Sequence, residues 1–130
     1  MKSKNINYHL EVKFPSNIDL TDNAIDLCAI IGNILDNAIE EMIQIKSVNP
    51  IKTKILYRDN KIVIQVANDT KTLALKNKED SILSLKFVGR AGIGIKSVRM
   101  RTKKLGGYCD FFIANHEFNA LIVIPYSPKE

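Results

Sequence analysis

The sequence predicts an α+β fold: a two-layer sandwich whose mixed, mostly antiparallel sheet carries helices on one face. Three observations point there: strand-like alternation near the start, a long apolar stripe at helical spacing, and two pairs of β-like runs, each closed by a short polar turn. With 130 residues, 45% of them hydrophobic, the chain is expected to form a single domain spanning 1–130 with one core of its own.

From Tyr8 to Phe14 the apolar side chains Tyr8, Leu10, Val12 and Phe14 recur every second residue, the period of a half-buried strand, and Pro15 ends the run. Thr21 or Asp22 is placed to cap a helix reaching about Ser47. Its apolar residues Leu27, Ile30, Ile31, Ile34, Leu35, Ala38 and Met42 return at spacings of three and four. Asn49-Pro50 stops it. Lys52 to Tyr57 and Lys61 to Val66 then read as strands joined at Asp59-Asn60, a hairpin turn pair. A polar, Lys-rich stretch follows, with weak patterning from Ser81 to Phe87; its length suggests a lid over about residues 69–91. Ile95 to Leu105 reads as a helix closed by Gly106-Gly107. Tyr108 to Ala114 and Phe118 to Ile124 complete the sheet around a turn at Asn115-His116-Glu117.

Bulk properties exclude several classes. The longest apolar stretches fall far short of the roughly 20 residues that cross a bilayer, and the basic start, Met1-Lys-Ser-Lys-Asn, leads into no apolar signal core. The chain therefore reads as cytosolic, or as a cytosolic piece of something longer, making no membrane contact itself. Cys28 and Cys109 lack zinc spacing and are expected to be buried, reduced thiols. The net charge of +5, gathered between Lys71 and Lys104, suits a polyphosphate, an acidic partner or a nucleic acid. A nucleic-acid partner is disfavoured, because no basic stretch is interleaved with aromatics for stacking.

Two constellations carry chemistry. In Asn33-Ile34-Leu35-Asp36-Asn37-Ala38, Asn33 and Asn37 stand one helical turn apart, so their amides share a face. Asn is a poor interior helix residue, which makes the pair conspicuous. An amide oxygen can ligate Mg²⁺ and its hydrogens can donate to phosphate, although each amide could equally face water. In Gly89-Arg90-Ala91-Gly92-Ile93-Gly94, three glycines precede a helix, where close backbone approach and free N–H groups favour an anion. A Walker A loop is excluded because Ile95 separates Gly94 from Lys96, and the dinucleotide pattern because its glycine spacing is reversed.

Together, in this order and separated by a hairpin and a lid, the two motifs resemble the GHKL ATPase superfamily of gyrase, heat-shock chaperones, histidine kinases and mismatch-repair proteins. Asn33 to Ala38 looks like its N box and Gly92 to Val98 like its G2 box. The resemblance spans nearly the whole chain and implies the Bergerat fold. Within the superfamily the chain most resembles the C-terminal ATP-binding domain of peptide-sensing histidine kinases of the accessory-gene-regulator type.

That resemblance implies ATP and Mg²⁺ as cofactors. Asn37 would ligate the metal, Asn33 would assist with the phosphates, and Lys86 in the lid would meet the terminal phosphates. Gly92, Ile93 and Gly94 would form the backbone cradle, and Asn68 would hydrogen-bond the adenine amine. The implied partners are a histidine-bearing dimerisation domain of a parent kinase and, indirectly, a response regulator; the implied setting is the cytoplasmic side of a membrane-anchored receptor. The chain departs from the pattern in two places: Asn68 stands where Asp is common in an Asp-x-Gly run, and Ala91 where the nearest relatives often have His. No segment resembles a phosphoacceptor helix, and His9 and His116 read as structural or exposed. Two alternatives follow: a degenerate or regulatory module without turnover, and an anti-sigma-type serine kinase. The latter usually has Glu one turn before the metal-binding Asn, where this chain has Asn33.

Overall fold

A computed structural model describes residues 6–70 and 90–126. Strand β1 (Tyr8–Lys13) leads through a 3-10 turn (Thr21–Asn23) into helix α1 (Ala24–Ile45). Strands β2 (Ile51–Arg58) and β3 (Lys61–Asp69), helix α2 (Arg90–Lys104) and strands β4 (Tyr108–Ala114) and β5 (Glu117–Pro125) follow. The expected lid falls on 71–89, outside the described residues, apart from Asp69 and Thr70 at its start and Arg90 and Ala91 at its end.

The sheet order is β1-β2-β3-β5-β4. β1 pairs parallel with β2, because α1 intervenes as a crossover, and the other pairings are antiparallel. Both hairpins close through two consecutive left-handed residues, Asp59 (φ 53°) and Asn60 (φ 60°), then Asn115 (φ 54°) and His116 (φ 63°). That is the geometry whose twist matches the flanking strands. Glu117, expected in the second turn, instead belongs to β5, opposite Asp69.

Strands β3 and β5 turn alternate residues towards the helices. Ile62, Ile64, Val66 and Asn68 lie opposite Ile124, Ile122, Ala120 and Phe118, and all eight are buried. Against this face α1 sets Ile30, Ile34, Ala38 and Met42, and α2 sets Ile95 and Val98, to complete the core. The stripe on α1 has the predicted spacing, which explains why the longest helix lies on the central strand.

Both helices end in the same way. Ser47 N–H bonds the Met42 carbonyl and Lys46 N–H that of Ile43, each at 3.1 Å, with Lys46 left-handed at φ 56°. Gly107 and Gly106 repeat this on Thr102 and Lys103, both at 2.9 Å, with Gly106 at φ 80°.

Four expectations are corrected. Neither Thr21 nor Asp22 caps α1; instead Asp19 accepts from the backbone and hydroxyl of Thr21 and fixes the preceding turn. Helix α2 begins at Arg90 and not at Ile95, since glycine weakens a helix by only about 1 kcal/mol and does not forbid one. Cys28 is exposed and Cys109 half-buried, because position 28 lies beside the stripe formed by Leu27, Ile30 and Ile34. Tyr8, Leu10 and Val12 on β1 are 55%, 65% and 54% exposed, although their strand has the expected period. α1 lies on β3, and α2 lies on β4 and β5, leaving the edge strand outside the main helix contacts.

Candidate functional site

The two sequence constellations meet where α1 packs against α2. A Cβ added at Gly94 would lie 3.7 Å from Oδ1 of Asn33, so the amide of one motif faces the glycine of the other. Gly92, Ile93 and Gly94 lie within the first turns of α2 and not in a loop before it. The backbone N–H groups that lack intrahelical acceptors belong to that first turn, at the positive end of the helix dipole. Gly92 and Ile93 fall among those free donors, whereas the Gly94 N–H has the Arg90 carbonyl as its helical acceptor and Gly94 supplies the space beside Asn33.

One turn further along α1, Asn37 is buried, 8% exposed. Neither its amide nor that of half-buried Asn33 makes a hydrogen bond within the described residues. The Asn37 amide is not among the fully buried polar groups left without a partner, so it keeps contact with solvent and stays open to a ligand. Asp36 is exposed and points away from Asn37, as its place one residue earlier on a helix requires.

Asn68 lies on β3, on the sheet face that the helices cover, and is 1% exposed. Its Nδ2 donates to the Asp69 carbonyl at 2.8 Å, which leaves Oδ1 as the acceptor. Lys86 and Gly89 lie outside the described residues. The structure thus brings Asn33 and Gly94 together and sets Asn37 on the same helix face, with Asn68 on the sheet that this helix covers.

Sequence reasoning missed a second set of residues around Asn68. Asp69 Oδ2 accepts from Ser47 Oγ and Asn49 Nδ2, both at 2.7 Å. Thr70, 5% exposed, donates its hydroxyl to Glu41 Oε2 at 3.1 Å and its N–H to the His116 carbonyl at 2.9 Å. The available signal was spacing, since Glu41 follows Asn37 by one helical turn and so shares its face. Among the described residues no group of three or more His, Cys, Asp or Glu side chains is arranged to hold a metal. No described helix is long and apolar enough to cross a membrane.

A family model for the GHKL domain matches residues 23–125. The chain belongs to the GHKL family. The match runs from just before α1 to the end of β5, so this GHKL domain contains both motifs and the strand end bearing Asn68. No curated protein matches it in sequence.

Among solved structures, the catalytic domain of the histidine kinase ThkA superposes with a TM-score of 0.70 at 22% identity, covering 95% of this chain and 82% of that one. The Acinetobacter baumannii histidine kinase AdeS gives 0.69 at 14% identity, covering 94% and 55%. A blue-light activated histidine kinase from Erythrobacter litoralis gives 0.72 at 14% identity, covering 94% and 36%. The GHKL domain therefore has the fold of histidine-kinase catalytic domains and spans about half and a third of the two latter chains.

Proposed function

We propose that this GHKL domain binds MgATP and presents the γ-phosphate to a histidine on a separate helical domain, as the ATP-binding part of a two-component sensor kinase. The observation that carries the reading is the meeting of Asn33 with Gly94, one turn from Asn37, whose amide makes no hydrogen bond among the described residues. A helix N-terminus supplies donors for phosphate oxygens, and the two amides extend that polar surface along α1. The donor set also fits Mg²⁺, which retains waters and commonly takes only one or two protein ligands alongside substrate phosphates. Asn37 would hold the metal, Asn33 and the backbone at Gly92 and Ile93 the phosphates, with Gly94 leaving them room, and Asn68 the adenine amine. Lys86 would complete the charge around the terminal phosphate.

MgATP, when bound, supplies the reactive phosphorus; the protein's part in such a transfer is positioning and neutralising charge. An Asn oxygen at position 68 accepts a hydrogen bond less strongly than a carboxylate, so adenine affinity should be modest. That departure favours one second reading, nucleotide binding without turnover. By resemblance to accessory-gene-regulator-type kinases, the parent would be a membrane-anchored receptor with this domain in the cytoplasm, coupled to a response regulator.

Calorimetric titration with a non-hydrolysable ATP analogue, with and without Mg²⁺, tests the reading. Binding is expected with Mg²⁺, and Asn37→Ala should weaken it about tenfold or more, the loss of one contact to a charged ligand. The variant should fold normally, since Ala is the better helix former and the deleted amide makes no hydrogen bond among the described residues. No binding at millimolar nucleotide sinks the proposal, and unfolding of the variant would reassign Asn37 to the scaffold. Phosphate transfer to a supplied histidine-bearing domain separates the kinase from the binding module.

A further inference from the structure

Three consecutive residues at the end of β3 are each held from a different direction. Asn68 donates to the next carbonyl, Asp69 accepts from Ser47 and Asn49, and the Thr70 N–H bonds the His116 carbonyl. The last two fasten the strand end to neighbouring turns. The Thr70 hydroxyl does something else, because its acceptor, Glu41, stands on α1 one turn beyond Asn37 and two beyond Asn33. This bond connects the helix face carrying both amides to the strand end carrying Asn68. Thr70 is buried and Glu41 half-buried, so the contact is largely shielded from water and directional.

We infer that Glu41 and Thr70 are positioning residues: their bond sets the spacing between the amide row of α1 and Asn68, and through it the selection of an adenine-bearing nucleotide. The inference rests on the MgATP reading above. A nucleotide held by its phosphates along α1 reaches Asn68 only if helix and strand end keep a fixed separation, and a small displacement at one end loses the other contact. The Asp69 carbonyl takes the Asn68 Nδ2–H, which leaves Oδ1 as the acceptor that this amide can offer a base. Adenine offers an amine to that acceptor, whereas guanine offers a carbonyl oxygen, which repels it. The preference for ATP over GTP therefore reports the position of Asn68, while Mg²⁺-tripolyphosphate binding reports α1 and the glycines alone.

The test uses the full chain and three probes with Mg²⁺: non-hydrolysable ATP, its GTP counterpart, and tripolyphosphate. Thr70→Val keeps the shape and removes the donor; it should lower the ATP-to-GTP affinity ratio about tenfold while tripolyphosphate binding stays unchanged. Thr70→Ser should restore the ratio, and Glu41→Gln, which retains an acceptor, should preserve it. Glu41→Ala should match Thr70→Val, with the double variant no worse, and it carries the test alone if Thr70→Val fails to fold. A ratio unchanged in both Thr70→Val and Glu41→Ala overturns the inference and leaves the MgATP reading standing. Equal weakening of all three probes also overturns it, because that pattern marks a general structural role. A wild-type chain that binds none of the probes overturns the MgATP reading, and the positioning role with it.

Discussion

Gly94 and Gly32 are both helical glycines, and they differ in what stands beside them. A methyl group at position 94 would sit 3.7 Å from Asn33 Oδ1, an ordinary contact, so sterics do not require glycine there. Nor do they at Gly32, where a Cβ meets nothing within 4 Å. Both glycines are helical, so alanine at either should stabilise the fold by up to about 1 kcal/mol. The two differ in what the methyl covers. Gly94→Ala shields the Asn33 oxygen and displaces a ligand from the backbone, so it should raise the melting temperature yet weaken MgATP-analogue binding several-fold. Gly32→Ala should raise the melting temperature alone. Melting curves and titrations of both variants decide, and equal affinities would remove Gly94 from the site. Asn33 and Asn37 stood out in the sequence because an amide inside a helix conflicts with local propensity, whereas Asn68 was singled out only by the family resemblance. Thr70 and Glu41 were not, because neither is out of place locally and their bond spans 29 residues of sequence.

At the scale of elements, Gly106-Gly107 looked like a single helix stop, and the structure separates the two residues. Gly106 takes the left-handed conformation that closes α2, at φ 80°. A Cβ on Gly107 would lie 2.1 Å from the Val123 carbonyl oxygen and 3.0 Å from the Ile124 Cα, inside the backbone of β5. Backbone held in a sheet cannot yield as a flexible side chain does. Gly107→Ala should therefore cost about 3 kcal/mol, the upper end of overpacking, and Gly106→Ala about 1–2 kcal/mol. Urea denaturation midpoints rank them, and a milder effect at 107 would show that β5 gives way. The helix stop was legible because chain reversal is a local property; the close approach was not, because β5 lies beyond the intervening strand β4. The same distinction explains β1. Its period-two pattern correctly gave a strand, but burial depends on what covers the strand, and α1 and α2 pack over β3, β4 and β5. The early start of α2 was hidden by glycines, whose low helix propensity is outweighed once the helix packs through Ile95 and Val98.

For the molecule as a whole, the fold class followed from element order, since helices with one apolar stripe and strands with one apolar face have few ways to bury both. The strand order β1-β2-β3-β5-β4 did not follow, because pairing β3 with β5 leaves no local trace across the long connection. That pairing makes the candidate site a property of the folded state: α1, α2 and the end of β3 are separate in sequence and adjoin only once the core has formed. A ligand bound there stabilises the native state by mass action, by about 2.7 kcal/mol at 100 times its dissociation constant. For a domain of this size that is a rise of roughly 10 °C in melting temperature. The wild-type chain should show it with the MgATP analogue and lose most of it in excess EDTA. Asn37→Ala should melt at or above the unliganded wild type, yet at the same ligand concentration gain about half as much or less, roughly 1.4 kcal/mol for a tenfold weaker affinity. Because the expected changes in intrinsic stability and in ligand response have opposite signs, a damaged fold cannot imitate the result. A full thermal shift in EDTA would show that nucleotide is held without the metal, and would return Asn37 to the ordinary interior of a helix.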